Sequence, residues 1–258
     1  PGVTISAPGG VTSQMSIPCD SCVTLNSGVF VTGETSSYTV SSIPYAPPWP
    51  FDVGTPIFVG SDDIWSPVLN LPFKFCFYGN IYDKLVVGAN GLVSFNLAYA
   101  SQHCPWSFTA SIPSPSLPLN SIFGPYHDID PGVGGIIRWG ILGSYPCRTF
   151  VVNFHNVPMY SSTCNSMLAT HQIVLYESTN VIEIHMQNKP TCSSWNGGRA
   201  ALGIQNATGN IGMAAPGRNT GQWTTTNESW RFTPAGPTNF IVSWYKGNST
   251  VPFASNQN

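Results

Sequence analysis

The chain has 258 residues, of which 42% are hydrophobic and only 8% charged, and its formal net charge is -2. A core of domain size can be buried, but no basic run is present to neutralise phosphates, which argues against nucleic-acid binding. An average soluble domain carries roughly 25% charged residues, so Ser, Thr, Asn and Gln must supply most of the polar surface here, as in secreted β-proteins.

Residues 1–34 are rich in Ser, Thr, Pro and Gly and read as an extended or strand segment. They open at Pro1 without an apolar leader, as a mature secreted product or a fragment would. The prolines of "YAPPWPFD" (45–52) hold that stretch extended. From there the 25 glycines and 23 prolines punctuate the chain every few residues, leaving no room for a helix of average length. Between the breaks lie short β-branched or alternating runs: "KLVVGANGLVSF", "GIIRWGIL", "RTFVVNFHNV", "HQIVLYEST", "NVIEIHMQN" and "RAALGIQN". This spacing predicts an all-β fold, an antiparallel β-sandwich with long Pro/Gly-rich loops. Asn90-Gly91 is expected to form a type I′ turn, and Ser178-Thr179-Asn180 to join the clearest hairpin. The sandwich is expected over 35–235. Residues 236–258 read as a linker and the first strand of a following immunoglobulin-like repeat.

Seven cysteines are present, and no second C-x-x-C or H-x-x-x-H follows Cys19-Asp-Ser-Cys22, so zinc is disfavoured and disulfides are expected. The expected pairs are Cys76 with Cys104, Cys164 with Cys192, and Cys19 with Cys22, leaving Cys147 over. No apolar run approaches the ~20 residues of a membrane span.

The segment "LPFKFCFYGNIYDKLVVGANGLVSFN" (71–96) resembles the opening of the extracellular NIDO domain of nidogen-like proteins. "IFGPYHDID", "CRTFVVNFHNVPMY", "HQIVLYESTNVIEIHM" and "ALGIQN" follow in matching order. Residues 35–235, with "PYAPPWPF", "DDIWSP" and "APGRNTGQW", look like a module of large surface proteins of Bacteroidota. Those proteins are gliding-motility-associated and exported by type IX secretion. The resemblance implies a non-enzymatic, extracellular adhesin module at the cell surface. Its partners would be neighbouring domains of one long chain and an extracellular glycan, a surface, or the secretion and motility machinery.

Four of the 11 acidic residues fall in two short motifs, "SDDIWS" and "YHDIDPG". Asp128 and Asp130 at i and i+2 would share a strand face ~7 Å apart. With Asp62 and Asp63 from a second loop they could hold Ca²⁺ through oxygen ligands. The alternative is a hydrogen-bonded turn, with Asp130 as its cap and Asp128 accepting from backbone N–H groups or from Arg138 or Arg199. No G-x-S-x-G, H-E-x-x-H or Cys–His signature appears, so no catalytic residue is assigned, and His127, His155, His171 and His185 read as structural. Trp49, Trp65, Trp106, Trp195 and Trp223 lie in Pro/Gly/Ser-rich loops, where exposed rings could stack on sugars. A glycan-binding or calcium-dependent hydrolase domain is thus one alternative function. A self-assembling surface or filament subunit with weakly charged sheet edges is another.

Overall fold

The computed structural model describes residues 2–6, 12–16, 33–57, 61–238, 241–246, 249–251 and 254–257, with backbone only for the outermost strands. The first strands are β1 (Gly2–Ser6), β2 (Thr12–Ser16), β3 (Tyr38–Ile43), β4 (Thr55–Pro56), β5 (Leu69–Phe77), β6 (Asn80–Gly88) and β7 (Leu92–Ser94). The middle of the chain supplies β8 (Ser121–Tyr126), β9 (Ile136–Leu142), β10 (Thr149–Pro158), β11 (Leu168–Tyr176) and β12 (Ile182–Lys189). The last are β13 (Arg199–Gln205), β14 (Gly212–Ala214), β15 (Gly221–Gln222), β16 (Thr225–Pro234), β17 (Ile241–Lys246) and β18 (Ala254–Gln257). Among the described residues no helix is long and apolar enough to cross a membrane.

Two seven-stranded antiparallel sheets form the sandwich. The first runs β3-β16-β12-β11-β10-β9-β4; the second runs β14-β13-β8-β7-β6-β5, with β15 paired to β13. Period-2 alternation selects the faces that meet. Phe73, Phe75 and Phe77 of β5 and Leu85 and Val87 of β6 point inward. They pack in one core cluster with Phe150, Val152 and Phe154 of β10, Ile173 and Leu175 of β11, and Ile182 and Ile184 of β12. At roughly 1.5–3 kcal/mol for each fully buried large side chain, this layer is the main stabilising element. The expected β11–β12 hairpin is present, in register Ile173↔Ile184 and Leu175↔Ile182.

Alternation does not reveal that both sheets are also covered on their outer faces. Gln172 and Val174 point away from the core yet are fully buried, because residues 44–54 cross the outside of the first sheet. Gln172 Nε2 donates to the Trp49 carbonyl at 3.0 Å, and Asn153 Nδ2 donates to the Pro50 and Val53 carbonyls at 3.3 and 3.0 Å. These bonds satisfy backbone carbonyls of the strap that would otherwise be left unpaired against the sheet. Gly140 makes room for it: a Cβ there would lie 1.9 Å from the Trp49 ring. On the second sheet, the β7–β8 connection folds back to build a smaller core of Trp65, Leu92, Cys104, Phe108, Phe123 and Tyr126.

The cysteines follow the sequence in part. Cys164 and Cys192 are joined, with Cα atoms 5.8 Å apart, and Cys147 is free and exposed. Cys76 and Cys104 are free rather than paired. Cys76 lies opposite Ile81, whereas Cys104 packs against Gly88 at the far end of β6. Seven residues of strand separate those positions by ~23 Å, far beyond the reach of a disulfide. Cys19 and Cys22 lie outside the described residues.

The strand expected after residue 240 is present as β17, and it has partners on both sides. It pairs with β18 and with β1, where Val3 faces Lys246 and Thr4 faces Tyr245, in a four-stranded sheet β18-β17-β1-β2.

Candidate functional site: an acidic loop cluster beside an aromatic pile

At one end of the sandwich the site is built around the β6–β7 turn. Asn90-Gly91 does not form the expected two-residue type I′ turn. The loop has three residues, closed by Gly91 N–H to the Gly88 carbonyl at 3.3 Å. Gly91 takes φ +85° and Asn90 is not among the positive-φ residues, which is a type I turn followed by a left-handed glycine. A Cβ on Gly91 would sit 2.0 Å from the Pro125 carbonyl oxygen. That close approach brings the chain after β8 against the turn.

Asn90, fully buried, links the loops that carry the acidic residues. Its Nδ2 donates to Asp63 Oδ1 at 2.8 Å, and its Oδ1 accepts from the Ile129 N–H at 3.2 Å. Carboxylate oxygens of Asp62, Asp63 and Asp128 consequently lie within 4.8 Å of one another. Asp128 is only 4% exposed; its Oδ2 accepts the Trp195 indole N–H at 2.7 Å. Asp128 Oδ1 and Asp62 Oδ1 are buried without a hydrogen-bond partner.

The expected same-face strand geometry of Asp128 and Asp130 does not apply, because β8 ends at Tyr126. Asp130 instead caps its own turn, its Oδ1 accepting from Gly132 N–H at 2.7 Å and Val133 N–H at 3.3 Å. Trp195, and neither Arg138 nor Arg199, is the side chain bonded to Asp128. Burial, reinforced by Asp63, Asp130 and Asp128, pushes the Asp62 carboxyl up to about 7. Burial likewise raises Asp128 to about 7 against the Trp195 hydrogen bond, with Asp63 and Asp130 adding to the rise. Asp63 is raised by burial too, opposed by the Asn90 hydrogen bond and by His103. Burial is the first cause of all three shifts, and neighbouring carboxylates add to each of them.

Beside the carboxylates, Trp195 packs between two other half-buried rings, its centroid 5.5 Å from Trp106 and 4.8 Å from Tyr160. A cleft of about 350 Å³ adjoins them, lined by Asp130, Val133, Tyr160, Ser161 and Asn165 among others. The Cys164–Cys192 bridge pins the β10–β11 loop, which forms one wall of the cleft, to the segment leading to Trp195.

Of the five tryptophans proposed as ligand contacts, Trp106 and Trp195 are therefore brought together. Trp65 and Trp223 are corrections, being 1% and 7% exposed. Trp65 stacks on Tyr99 in the small second core. Trp223 donates to the Ala200 carbonyl, with Lys189 Nζ 4.5 Å from its ring centroid. Neither ring has a free face for a ligand. Trp49 is held in the strap over Gly140.

Sequence reasoning missed a polar network on the outer face of the first sheet. Ser229 Oγ lies 2.8 Å from His185 Nδ1, and His185 Nε2 lies 3.1 Å from Glu183 Oε2. Arg231 and Tyr176 donate to the same carboxylate. The order resembles a hydrolytic triad, but Ser229, His185 and Glu183 are 1%, 1% and 3% exposed, so a substrate has no approach. The signal was available in "VIEIHM", where Glu183 and His185 interrupt an apolar run at alternate positions. His127 and His171 are also fully buried, with both ring nitrogens of each unpartnered.

No curated protein and no solved structure is significantly similar to the chain. The family model described as NIDO related matches residues 37–245. That span includes both sheets of the sandwich and every residue of the loop-end cluster, and the chain belongs to the NIDO-related family.

Proposed function

We propose that the chain is a non-enzymatic module of a large secreted cell-surface adhesin. It would act in adhesion or surface interaction in the manner of the gliding-motility-associated, type IX-secreted proteins that its motifs resemble. The observation that carries this reading is the NIDO-related match across residues 37–245, an extracellular type of domain, on a chain bearing a disulfide. The bridge fits an oxidising compartment, and it pins a loop end rich in half-buried aromatic rings.

A second reading, glycan binding, is favoured by one feature. Trp106, Trp195 and Tyr160 form a continuous aromatic surface beside a cleft carrying Asp130, Ser161 and Asn165. Rings of this kind stack on sugar faces while neighbouring polar groups bond hydroxyls.

The test has two arms. Protease shaving of intact producing cells should release peptides of this domain, and release only after lysis would overturn the surface assignment. Beads coated with the purified domain should be retained on extracellular polysaccharide or on cells. Retention should fall in Trp106→Ala and Tyr160→Ala; wild-type beads that pass over every surface tested would remove the adhesive role.

A further inference from the structure

We propose that Asp62, Asp63 and Asp128 form a binding site for a hard divalent cation, Ca²⁺, which ties the loop at 61–65 to the segment following β8. The site goes beyond the adhesive reading and does not rest on it. Three carboxylates from two loops place oxygens within 4.8 Å of one another, close enough for one ion to reach all three at the 2.3–2.6 Å typical of calcium.

Two further observations point to a ligand. Asp128 is 96% buried by its 4% exposure, and its Oδ1 has no partner; Asp62 Oδ1 is equally unsatisfied. An unpaired buried carboxylate oxygen is costly, and native proteins avoid it unless something occupies the gap. The opposite oxygen of Asp128 is fixed by Trp195, and Asp63 Oδ1 is fixed by the buried Asn90. These are the supporting contacts that hold ligand carboxylates in one orientation. Protein cations do not fill the role: among the described residues, the Lys and Arg ion pairs go to Asp83, Glu177, Glu183 and Glu228.

The donor set selects the ion. It contains only carboxylate oxygens and no Cys or His, which disfavours zinc and copper. Its geometry is set by two irregular loops rather than by an octahedral cage, which favours calcium over magnesium. Asp62 and Asp63 are half-buried, less enclosed than Asp128, so water can complete the coordination from that side.

The probe is Tb³⁺, a calcium substitute whose luminescence is sensitised by a nearby tryptophan. Trp195, bonded to Asp128, is placed to serve. With the purified chain at about pH 8, where free carboxylates are ionised, Tb³⁺ emission excited through tryptophan should appear and be displaced by Ca²⁺. Calorimetry should show Ca²⁺ binding, and Asp62→Asn and Asp128→Asn should each weaken it at least about tenfold. Asp130→Asn, whose oxygen serves its own turn, should stay within about threefold. Circular dichroism checks that each variant is folded. If Asp128→Asn is not, the less enclosed Asp63→Asn takes its place with the same expected loss. Wild-type chain that gives neither sensitised emission nor heat with Ca²⁺ up to about 1 mM would overturn the site. So would Ca²⁺ binding unchanged by the Asp62 and Asp128 substitutions. Since no adhesive partner enters these measurements, their failure leaves the adhesive reading untouched, and the converse holds.

Discussion

Trp195 donates its indole N–H to Asp128 Oδ2 at 2.7 Å, joining the segment after the Cys164–Cys192 bridge to the carboxylate cluster. Asp128 Oδ1 has no partner, so among the described residues this bond is the only side-chain hydrogen bond the buried carboxyl receives. Replacing Trp195 with Phe keeps most of the packing against Trp106 and Tyr160 and removes the donor. Expected is a loss of about 1–3 kcal/mol, the usual cost of stranding a buried acceptor, read by urea denaturation. An unchanged midpoint would show that water already serves Asp128 as well as the indole does.

The single bridge among the described cysteines closes a loop of sequence separation 28. Chain-entropy arguments give it about 3–4 kcal/mol, so the Cys164→Ser/Cys192→Ser double variant should lose stability of that order. Thiol labelling of the folded, unreduced chain should mark the exposed Cys147 at once and spare the buried Cys104 until unfolding. Rapid labelling of Cys104 in the native state would contradict its packing against Gly88.

Some of this arrangement could be read from residue types and some could not. Alternation in β11 and β12 identified the hairpin and the face that meets the second sheet, since a period of two assigns faces whatever lies beyond them. It could not show that the opposite face, with Gln172 and Asn153, is covered, because the cover comes from residues 44–54, about 100 positions or more away in sequence. The aspartates were legible as a cluster because acidic residues are scarce in this chain. Their convergence is achieved by Asn90, an uncharged residue read only as part of a turn. The tryptophans misled for a related reason: Pro/Gly-rich flanks mark loops, but the β7–β8 loop folds back and buries Trp65 in a core of its own. Cys76 and Cys104 flank a strand-rich segment in sequence, yet the length of β6 keeps them apart.

Gly91 is the backbone position on which that convergence depends. Its φ of +85° is strained for any L side chain, and a Cβ would meet the Pro125 carbonyl oxygen at 2.0 Å. Gly91→Ala should therefore cost more than the ~1–3 kcal/mol of an unfavourable dihedral alone, because the chain after β8 must also move. A variant within ~0.5 kcal/mol of wild type in chemical denaturation would mean that β8 is not held against this turn.

Acid sensitivity should come mainly from two glutamates of the first sheet. Burial would raise Glu183, but hydrogen bonds from His185, Tyr176 and Arg231, with the Arg231 charge, hold it at about 2. Burial opposes Glu228 in the same way, and bonds from Arg218, Trp230 and Thr225 bring it to about 2. A depressed carboxyl stabilises the fold fully above its unfolded value of 4.5 and stops doing so as pH falls through the folded value. The loss should therefore fall between pH 4.5 and about 2, with each residue contributing on the order of 2 kcal/mol. Glu228→Gln should flatten that limb of a stability–pH curve while lowering stability at neutral pH. A variant as steep as wild type below pH 4.5 would assign the acid transition elsewhere.

The sandwich should fold without the four-stranded sheet. β1, β2, β17 and β18 pair only among themselves, and no ladder joins them to either seven-stranded sheet. The junction is closed within residues 33–238: Gly33 N–H donates to the Pro234 carbonyl, Glu34 N–H to Pro237, and Gly236 N–H to Glu34, at 3.1, 3.3 and 2.9 Å. Both core clusters also lie inside that span. Residues 33–238 expressed alone should therefore melt cooperatively, with Cys164–Cys192 formed and the near-ultraviolet spectrum of packed aromatic rings. Deleting only Ile241–Asn258 from the longer chain should leave that transition in place and remove any separate transition of the β1–β2–β17–β18 sheet. A 33–238 fragment that stays soluble but shows no cooperative melt would mean the two sheet systems stabilise each other through side chains rather than through backbone pairing. The unit of folding would then extend from β1 to β18.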